Sequence, residues 1–126
     1  MSLNNKTREI VLQKYDGHCA YCGKRISLSE MQVDHFKPLR AWNKEDCGSD
    51  DISNLMPSCR RCNHYKRAHT LDVFRRYIEE IPMKLMDNYI YKVAIDYGLV
   101  EEHQKKVEFY FEKRKDRKHE SRSRLQ

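Results

Sequence analysis

Asp34-His35, followed further along by Asn54-Leu55-Met56-Pro57-Ser58-Cys59-Arg60-Arg61-Cys62-Asn63, is the stretch around which this chain is organised. The stretch ends inside a CxxC knuckle, Cys59 to Cys62, and a second knuckle, Cys19-Ala20-Tyr21-Cys22, lies upstream. A CxxC pair puts two sulfurs on one tight turn, and a tetrahedral zinc ion takes four thiolates. Two such pairs therefore read as one structural zinc site. The chain has 126 residues, 39% hydrophobic and 35% charged, so a single domain with a modest apolar core is expected. A metal site that forms only on folding adds its binding energy to folding, which offsets a small core. Four of the five cysteines fall in the two pairs, which points to metal rather than disulfides and to a reducing, intracellular (cytoplasmic) setting. Cys47 is left over. No long apolar run reads as a membrane span or signal peptide, and no membrane partner is expected.

Working outward, residues 30–36 alternate polar and apolar as a half-buried strand does. That alternation puts Met31 and Val33 inward and Asp34 outward. Neighbouring strand residues point to opposite faces, so Asp34 and His35 can serve one substrate only if the strand ends or twists there; Pro38 supports an ending. Arg40 to Ser53 is a long polar connection of the kind that often carries function, with Trp42 expected to pin it. Asn54 to Pro57 reads as a second extended segment, and Cys59 to Lys66 enters a helix. Upstream, Thr7 to Tyr15 reads as a short helix stopped by Gly17. From Thr70 the pattern becomes amphipathic helix. Leu71, Phe74, Tyr77, Ile78 and Ile81 form one stripe, broken by Pro82. Met86, Tyr89, Ile90, Val93, Ala94 and Tyr97 form another, closed by Gly98. Val100, Val107, Tyr110 and Phe111 mark a third helix that frays into a basic tail. At this spacing the tyrosines read as core or half-buried positions rather than base-stacking platforms.

The net charge of +6 is uneven. From Lys113 to Arg124 there are seven Lys/Arg against Asp116 and Glu120, a balance of +5 that leaves about +1 for the rest. Over residues 60–76, six basic side chains stand against Asp72 alone. A basic excess of this kind suits a nucleic-acid partner, with Arg60, Arg61, Lys66 and Arg67 as phosphate contacts. A charged terminus by itself also reads as a solvated end.

The order CxxC, Asp-His, Asn, then CxxC followed by Asn resembles the HNH endonucleases with a ββα-metal site. The residues that carry the likeness are Cys19/Cys22, Asp34-His35, Asn54 and Cys59/Cys62-Asn63, and it covers residues 10 to 70. One departure is Asn63, where histidine is the commoner third letter. The resemblance implies an α+β fold: a short β-hairpin and helix gripped by a four-cysteine zinc clip. The appended helices over about 70–112 and the tail at 113–126 lie outside it, and the whole is expected as a single domain. It implies that His35 is the general base, that Asp34 and Asn63 hold a catalytic divalent metal, and that Asn54 braces the loop that orients His35. It further implies hydrolysis of DNA, most readily double-stranded, to a 5′-phosphate and a 3′-hydroxyl, one strand per site.

The residue types suit that chemistry independently of the name. Phosphodiester hydrolysis needs a base, and a neutral histidine fits near physiological pH. It also needs a cation against the charge that builds on the phosphoryl group, and the oxygen ligands of Asp34 and Asn63 suit magnesium or manganese. His64 adjoins Asn63 and has three readings: a ligand in its place, a phosphate contact, or an exposed side chain. A rival class is a non-catalytic, zinc-ribbon-like nucleic-acid-binding module. It accounts for the cysteines and the charge and leaves Asp34, His35 and Asn63 as coincidence. Oligomeric state, target sequence and biological setting stay open.

Overall fold

The computed structural model describes residues 3–40 and 43–114. The expectations for Trp42 and for most of the basic tail (115–126) lie outside those residues. The described chain divides into two units: residues up to Leu71 together with those from Glu108 onward, and Asp72–Val107.

In the first unit, α1 (Asn5–Gln13) starts earlier than the apolar pattern alone suggests. Asn4 caps it, its side-chain oxygen accepting from the Thr7 N–H at 2.8 Å. Left-handed backbone at Asp16 (φ 53°) and Gly17 (φ 80°) turns the chain away after the helix. Val11 and Leu12 supply the buried face. Two cations, one in α1 and one at its C-cap, serve as tethers. The Arg8 guanidinium donates to the carbonyls of Leu28 and Met31 at 2.8 and 2.9 Å, and Lys14 Nζ to those of Ile52 and Leu55 at 3.1 and 2.6 Å.

The sheet of this unit is a two-stranded antiparallel ladder of β1 (Gln32–His35) and β2 (Leu55–Ser58), with Asp34 opposite Met56 and His35 opposite Leu55. β2 is buried throughout. β1 ends at His35, as Pro38 suggests, but its facing differs from expectation. Met31 is buried as read, whereas Asp34 is also buried and Val33 only half-buried. A carboxylate can take an inward position only where partners meet its charge, and this one has them. Directly after β2, Cys59 opens α2 (Arg60–Lys66) as its N-cap.

The first knuckle is stitched to this core. Ala20 N–H donates to the Pro57 carbonyl at 2.8 Å, and Cys19 N–H to that of Lys24 at 2.7 Å. The end of the described chain returns here. Tyr110 and Phe111 N–H groups donate to the Tyr21 and Ala20 carbonyls at 3.0 and 2.9 Å. Phe109 is buried, with its ring edge-to-face against Tyr21 and stacked on Phe111. The expected third helix is therefore two things: residues 101–109 carry no regular structure, and residues 110–114 form a helical turn packed on the knuckle.

In the second unit, α3 (Leu71–Glu79) begins at the unit boundary, and α4 (Ile81–Leu85) and α5 (Tyr89–Asp96) follow. Pro82 lies in the first turn of α4, where its missing N–H costs nothing. Asn88 caps α5, and Gly98 (φ 72°) ends it. The second apolar stripe is not a core face: Tyr89, Ile90 and Tyr97 are 77–79% exposed. Helical periodicity marks an apolar face without saying what covers it. No helix among the described residues is long and apolar enough to cross a membrane.

Candidate active site

The two knuckles meet as read. The sulfurs of Cys19, Cys22, Cys59 and Cys62 all lie within 4.8 Å of one another, and Cys22 and Cys59 Sγ are 3.8 Å apart. A tetrahedral zinc with Zn–S near 2.3 Å holds its sulfurs about 3.8 Å apart, so the cage fits that ion. The electrostatics ask for a cation too. A hydrogen bond from Cys62 holds the Cys19 thiol down to about 4, and that same bond, with burial and the neighbouring thiolates, pushes Cys62 far up. Four thiolates this close repel one another unless a positive ion sits among them. Cys47 stands apart, its thiol 3.8 Å from the Asn43 carbonyl.

β1 carries Asp34 and His35 into opposite surroundings. Asp34 is 5% exposed. Tyr21, from inside the first knuckle, donates its hydroxyl to Oδ2. Lys66, at the end of α2, sets Nζ 3.1 Å from Oδ2 and 3.4 Å from Oδ1. Burial pushes the Asp34 carboxyl up, with Lys66 the larger of the influences drawing it back. Burial likewise pushes the Tyr21 hydroxyl well up, aided by the Asp34 charge. His35, the next residue, is half-buried, with Nε2 2.8 Å from Asp50 Oδ1 on the long loop.

Asn54 closes that loop. Its Nδ2 donates to the Lys37 and Ser49 carbonyls at 2.9 and 2.7 Å, and its Oδ1 accepts from the Lys37 N–H at 2.9 Å. Gly48 fits beneath: a Cβ there would lie 2.3 Å from the Lys37 carbonyl oxygen and 2.5 Å from Asn54 Nδ2, so no side chain is accommodated. The loop's two ends are thus drawn together directly beyond His35.

Residues 19–69, the span that holds all of these groups, match the family model of the HNH endonucleases. Residues 19–69 are thus similar to an HNH endonuclease domain. Their hairpin, helix and four-cysteine cage are those of the ββα-metal fold, and that family is one of nucleases, with nucleic acid as its substrate class. A crystal structure of the Type II-C Cas9 enzyme from Actinomyces naeslundii is similar over 57% of this chain and 7% of that one, at 26% identity and a TM-score of 0.49. The chain thus spans a small part of that enzyme's length. No curated protein matches it.

Within residues 19–69, Asn63 is half-buried on α2 and His64 exposed. Asn63 and Lys66 are three residues apart and share a helix face, and Lys66 is the residue that reaches Asp34. Arg60, Arg61 and Arg67 are exposed, as phosphate contacts must be. Lys66 is not: its side chain is 0% exposed, so the phosphate contact read from sequence gives way to an internal ion pair. A helix of basic residues looks uniform in sequence, and only the position of its turn against β1 separates the inward cation from the outward ones.

Among the described residues, one cleft of about 560 Å³ is lined by His35, Asp50, Arg8, Val33 and Leu55. Another, of about 710 Å³, is lined by Arg60, Arg61, His64, Lys24 and Glu30 and contains none of Asp34, His35 or Asn63. Size does not separate them; the first holds His35, one of the catalytic residues expected from sequence, and the second does not. Sequence reading missed Asp50, one acid among several on a polar loop, and Tyr21, hidden between two cysteines. Nothing in the local pattern marks either one.

Proposed function

We propose that this HNH domain is a metal-dependent endonuclease that hydrolyses phosphodiester bonds of double-stranded DNA, nicking one strand per site. The observation that carries the reading is the Asp34-His35 dipeptide. Its carboxylate is turned toward α2, which bears Asn63, and its imidazole is turned into a cleft beside a loop closed by Asn54.

His35 is the general base. With Nε2–H donating to Asp50, Nδ1 carries the lone pair that takes a proton from the attacking water. The P–O3′ bond breaks as the new P–O bond forms, leaving a 5′-phosphate, and the 3′ oxygen leaves as a hydroxyl after protonation by solvent. Asp34 and Asn63 supply hard oxygen donors suited to Mg²⁺ or Mn²⁺. When bound, that ion offsets charge on the phosphoryl and leaving oxygens. The donor set fits such an ion, which would share Asp34 with the Lys66 ammonium already set against it. Asn54 is a positioning residue, and Arg60, Arg61 and Arg67 hold the DNA backbone. The four cysteines hold zinc, which is structural, and through Tyr21 the first knuckle also steadies Asp34.

The test is incubation of supercoiled plasmid with the zinc-loaded protein and Mg²⁺ or Mn²⁺, with EDTA as control. Nicked circles with 5′-phosphate ends are expected. Binding without cleavage in either metal would leave the non-catalytic zinc-ribbon-like module as the better reading. Asn63 sharpens the metal assignment. Asn63→Ala should lose most activity, whereas Asn63→His should stay active and gain with Ni²⁺ or Co²⁺, because imidazole nitrogen is the softer donor.

A further inference from the structure

We propose that Lys66 is the resident counter-ion of Asp34: a positioning residue that fixes the Asp34-His35 dipeptide before a divalent cation arrives and then shares the carboxylate with that cation. The proposal rests on the reading of Asp34 as a metal ligand and adds a residue that reading does not contain.

Three contacts carry it. The Lys66 ammonium, fully buried, lies 3.1 Å from Asp34 Oδ2, 3.4 Å from Oδ1, and 3.1 Å from the His35 carbonyl oxygen. An ammonium has three protons to donate, and here they meet the side chain of one residue of the dipeptide and the backbone of the next. Lys66 therefore restrains both the carboxylate and the strand end from which the imidazole projects. Tyr21 adds its hydroxyl to Oδ2, so the two stronger contacts converge on one oxygen. The 3.4 Å contact to Oδ1 is long for a hydrogen bond, which leaves Oδ1 with spare acceptor capacity. A buried carboxylate without a counter-charge is strongly unfavourable, so the pair lets this site fold with or without its divalent ion. The consequence is antagonism. A cation on Asp34 and the ammonium of Lys66 are like charges on one carboxylate in a poorly screened place, and they weaken one another's hold.

The experiment measures Mn²⁺ binding by electron paramagnetic resonance on zinc-loaded protein, alongside nicking rate. Lys66→Gln keeps a donor and removes the charge; it should bind Mn²⁺ about tenfold more tightly and yet cleave more slowly, because the tether on the His35 carbonyl is weakened. Lys66→Arg, which keeps the charge, should stay within about threefold of the parent in Mn²⁺ affinity. A purely structural lysine would instead lose metal, zinc and fold together. Mn²⁺ affinity of folded Lys66→Gln equal to or weaker than the parent's overturns the proposal. Should that variant lose its zinc, the unmodified protein decides. The buried ammonium's ¹⁵N resonance should shift as Mg²⁺ is added, and one that stays put at saturating Mg²⁺ overturns the proposal. Asp34→Ala separates the two levels. If it lowers Mn²⁺ affinity while Lys66→Gln changes nothing, only the role of Lys66 fails. If it leaves Mn²⁺ affinity unchanged, the assignment of Asp34 as ligand fails, and the role of Lys66 with it.

Discussion

The Asp34-His35 dipeptide is flanked by two regions that are held in different ways. On one side, the knuckles bring four sulfurs within 4.8 Å, a cage that closes on a metal ion. On the other, the loop from Lys37 to Asn54 is drawn shut by the Asn54 amide over Gly48, with the Phe36 and Gly48 N–H groups donating to the Asn54 and Pro38 carbonyls. Each region supports one member of the dipeptide. Tyr21 from the first knuckle meets Asp34, and Asp50 from the loop meets His35. The cage roots in the core through the buried Cys19 and Cys59, so its disruption should be global. The loop is largely exposed, so its disruption should be local. The two supports thus meet adjacent residues at one end of a four-residue strand, and substitutions can separate them.

The largest effect should come from the cage. Cys59→Ser, or removal of zinc by a strong chelator, should unfold the domain. Zinc binding by such sites is worth on the order of 10–16 kcal/mol, comparable to the whole stability of a small domain. Circular dichroism with elemental analysis checks this. A folded, zinc-free protein with an unchanged melting temperature would erase the contrast between the two regions. Cys47→Ser, at a sulfur outside the cage, should leave both zinc content and melting temperature as they are.

Next comes the base. His35→Ala should slow nicking by about 10²–10⁴-fold, the usual range for removing a general base. Its melting temperature should hardly move, since the ring is half-buried and its partner Asp50 is 71% exposed. Full cleavage by the variant with Mg²⁺ would sink the assignment. Loss of cleavage with a large fall in stability would show the strand end to be less separable from the cage than its contacts imply.

This division also explains what the sequence made legible. The cage was legible because metal ligation needs fixed residue types at fixed spacing, and Cys19, Cys22, Cys59 and Cys62 have both. The hairpin and α2 followed from it. Asp34's facing was not, because strand alternation assigns a carboxylate to solvent by default, and the two groups that reverse this, Tyr21 and Lys66, come from segments 13 and 32 residues away. For the same reason Lys66 read as one more basic residue on a basic helix. The docking of Phe109 and Phe111 on the first knuckle was illegible too: apolar spacing near the end of the chain fits a helix as well as a returning segment. Tyr89, Ile90 and Tyr97 show the converse error, a stripe with helical period that is exposed.

A smaller effect tests the loop clamp. Asn54→Ala removes three hydrogen bonds, at 2.7, 2.9 and 2.9 Å. At a net value near 1 kcal/mol for each, lowered by solvent exposure, the loss should be about 1–3 kcal/mol. The nicking rate should fall more than that loss of stability suggests, with zinc retained. Gly48→Ala should reproduce the fall with Asn54 still in the sequence, because its new Cβ would collide with the Lys37 carbonyl and Asn54 Nδ2 and force the loop ends apart. If Gly48→Ala cleaves normally, the loop tolerates opening and the clamp has no bearing on His35.

The smallest effect, and the finest test of the comparison, lies at Asp50. It holds His35 Nε2 at 2.8 Å, yet it is exposed, so the pair adds little to stability. Its role is orientation: an acceptor at Nε2 fixes the tautomer and the ring plane, leaving Nδ1 free to receive the water's proton. Two substitutions part orientation from charge. Asp50→Asn keeps an acceptor oxygen and drops the charge, and its nicking rate should fall by about threefold; Asp50→Ala drops both and should slow nicking by about tenfold, each tenfold step being about 1.4 kcal/mol in the barrier. Both should melt within about 0.5 kcal/mol of the parent, as exposed substitutions usually do. Equal rates for the two variants would mean that the negative charge, not the acceptor geometry, is what His35 requires. An Asp50→Ala protein as fast as the parent would mean that the loop carries no catalytic support, leaving Asn54 and Gly48 as features of folding alone.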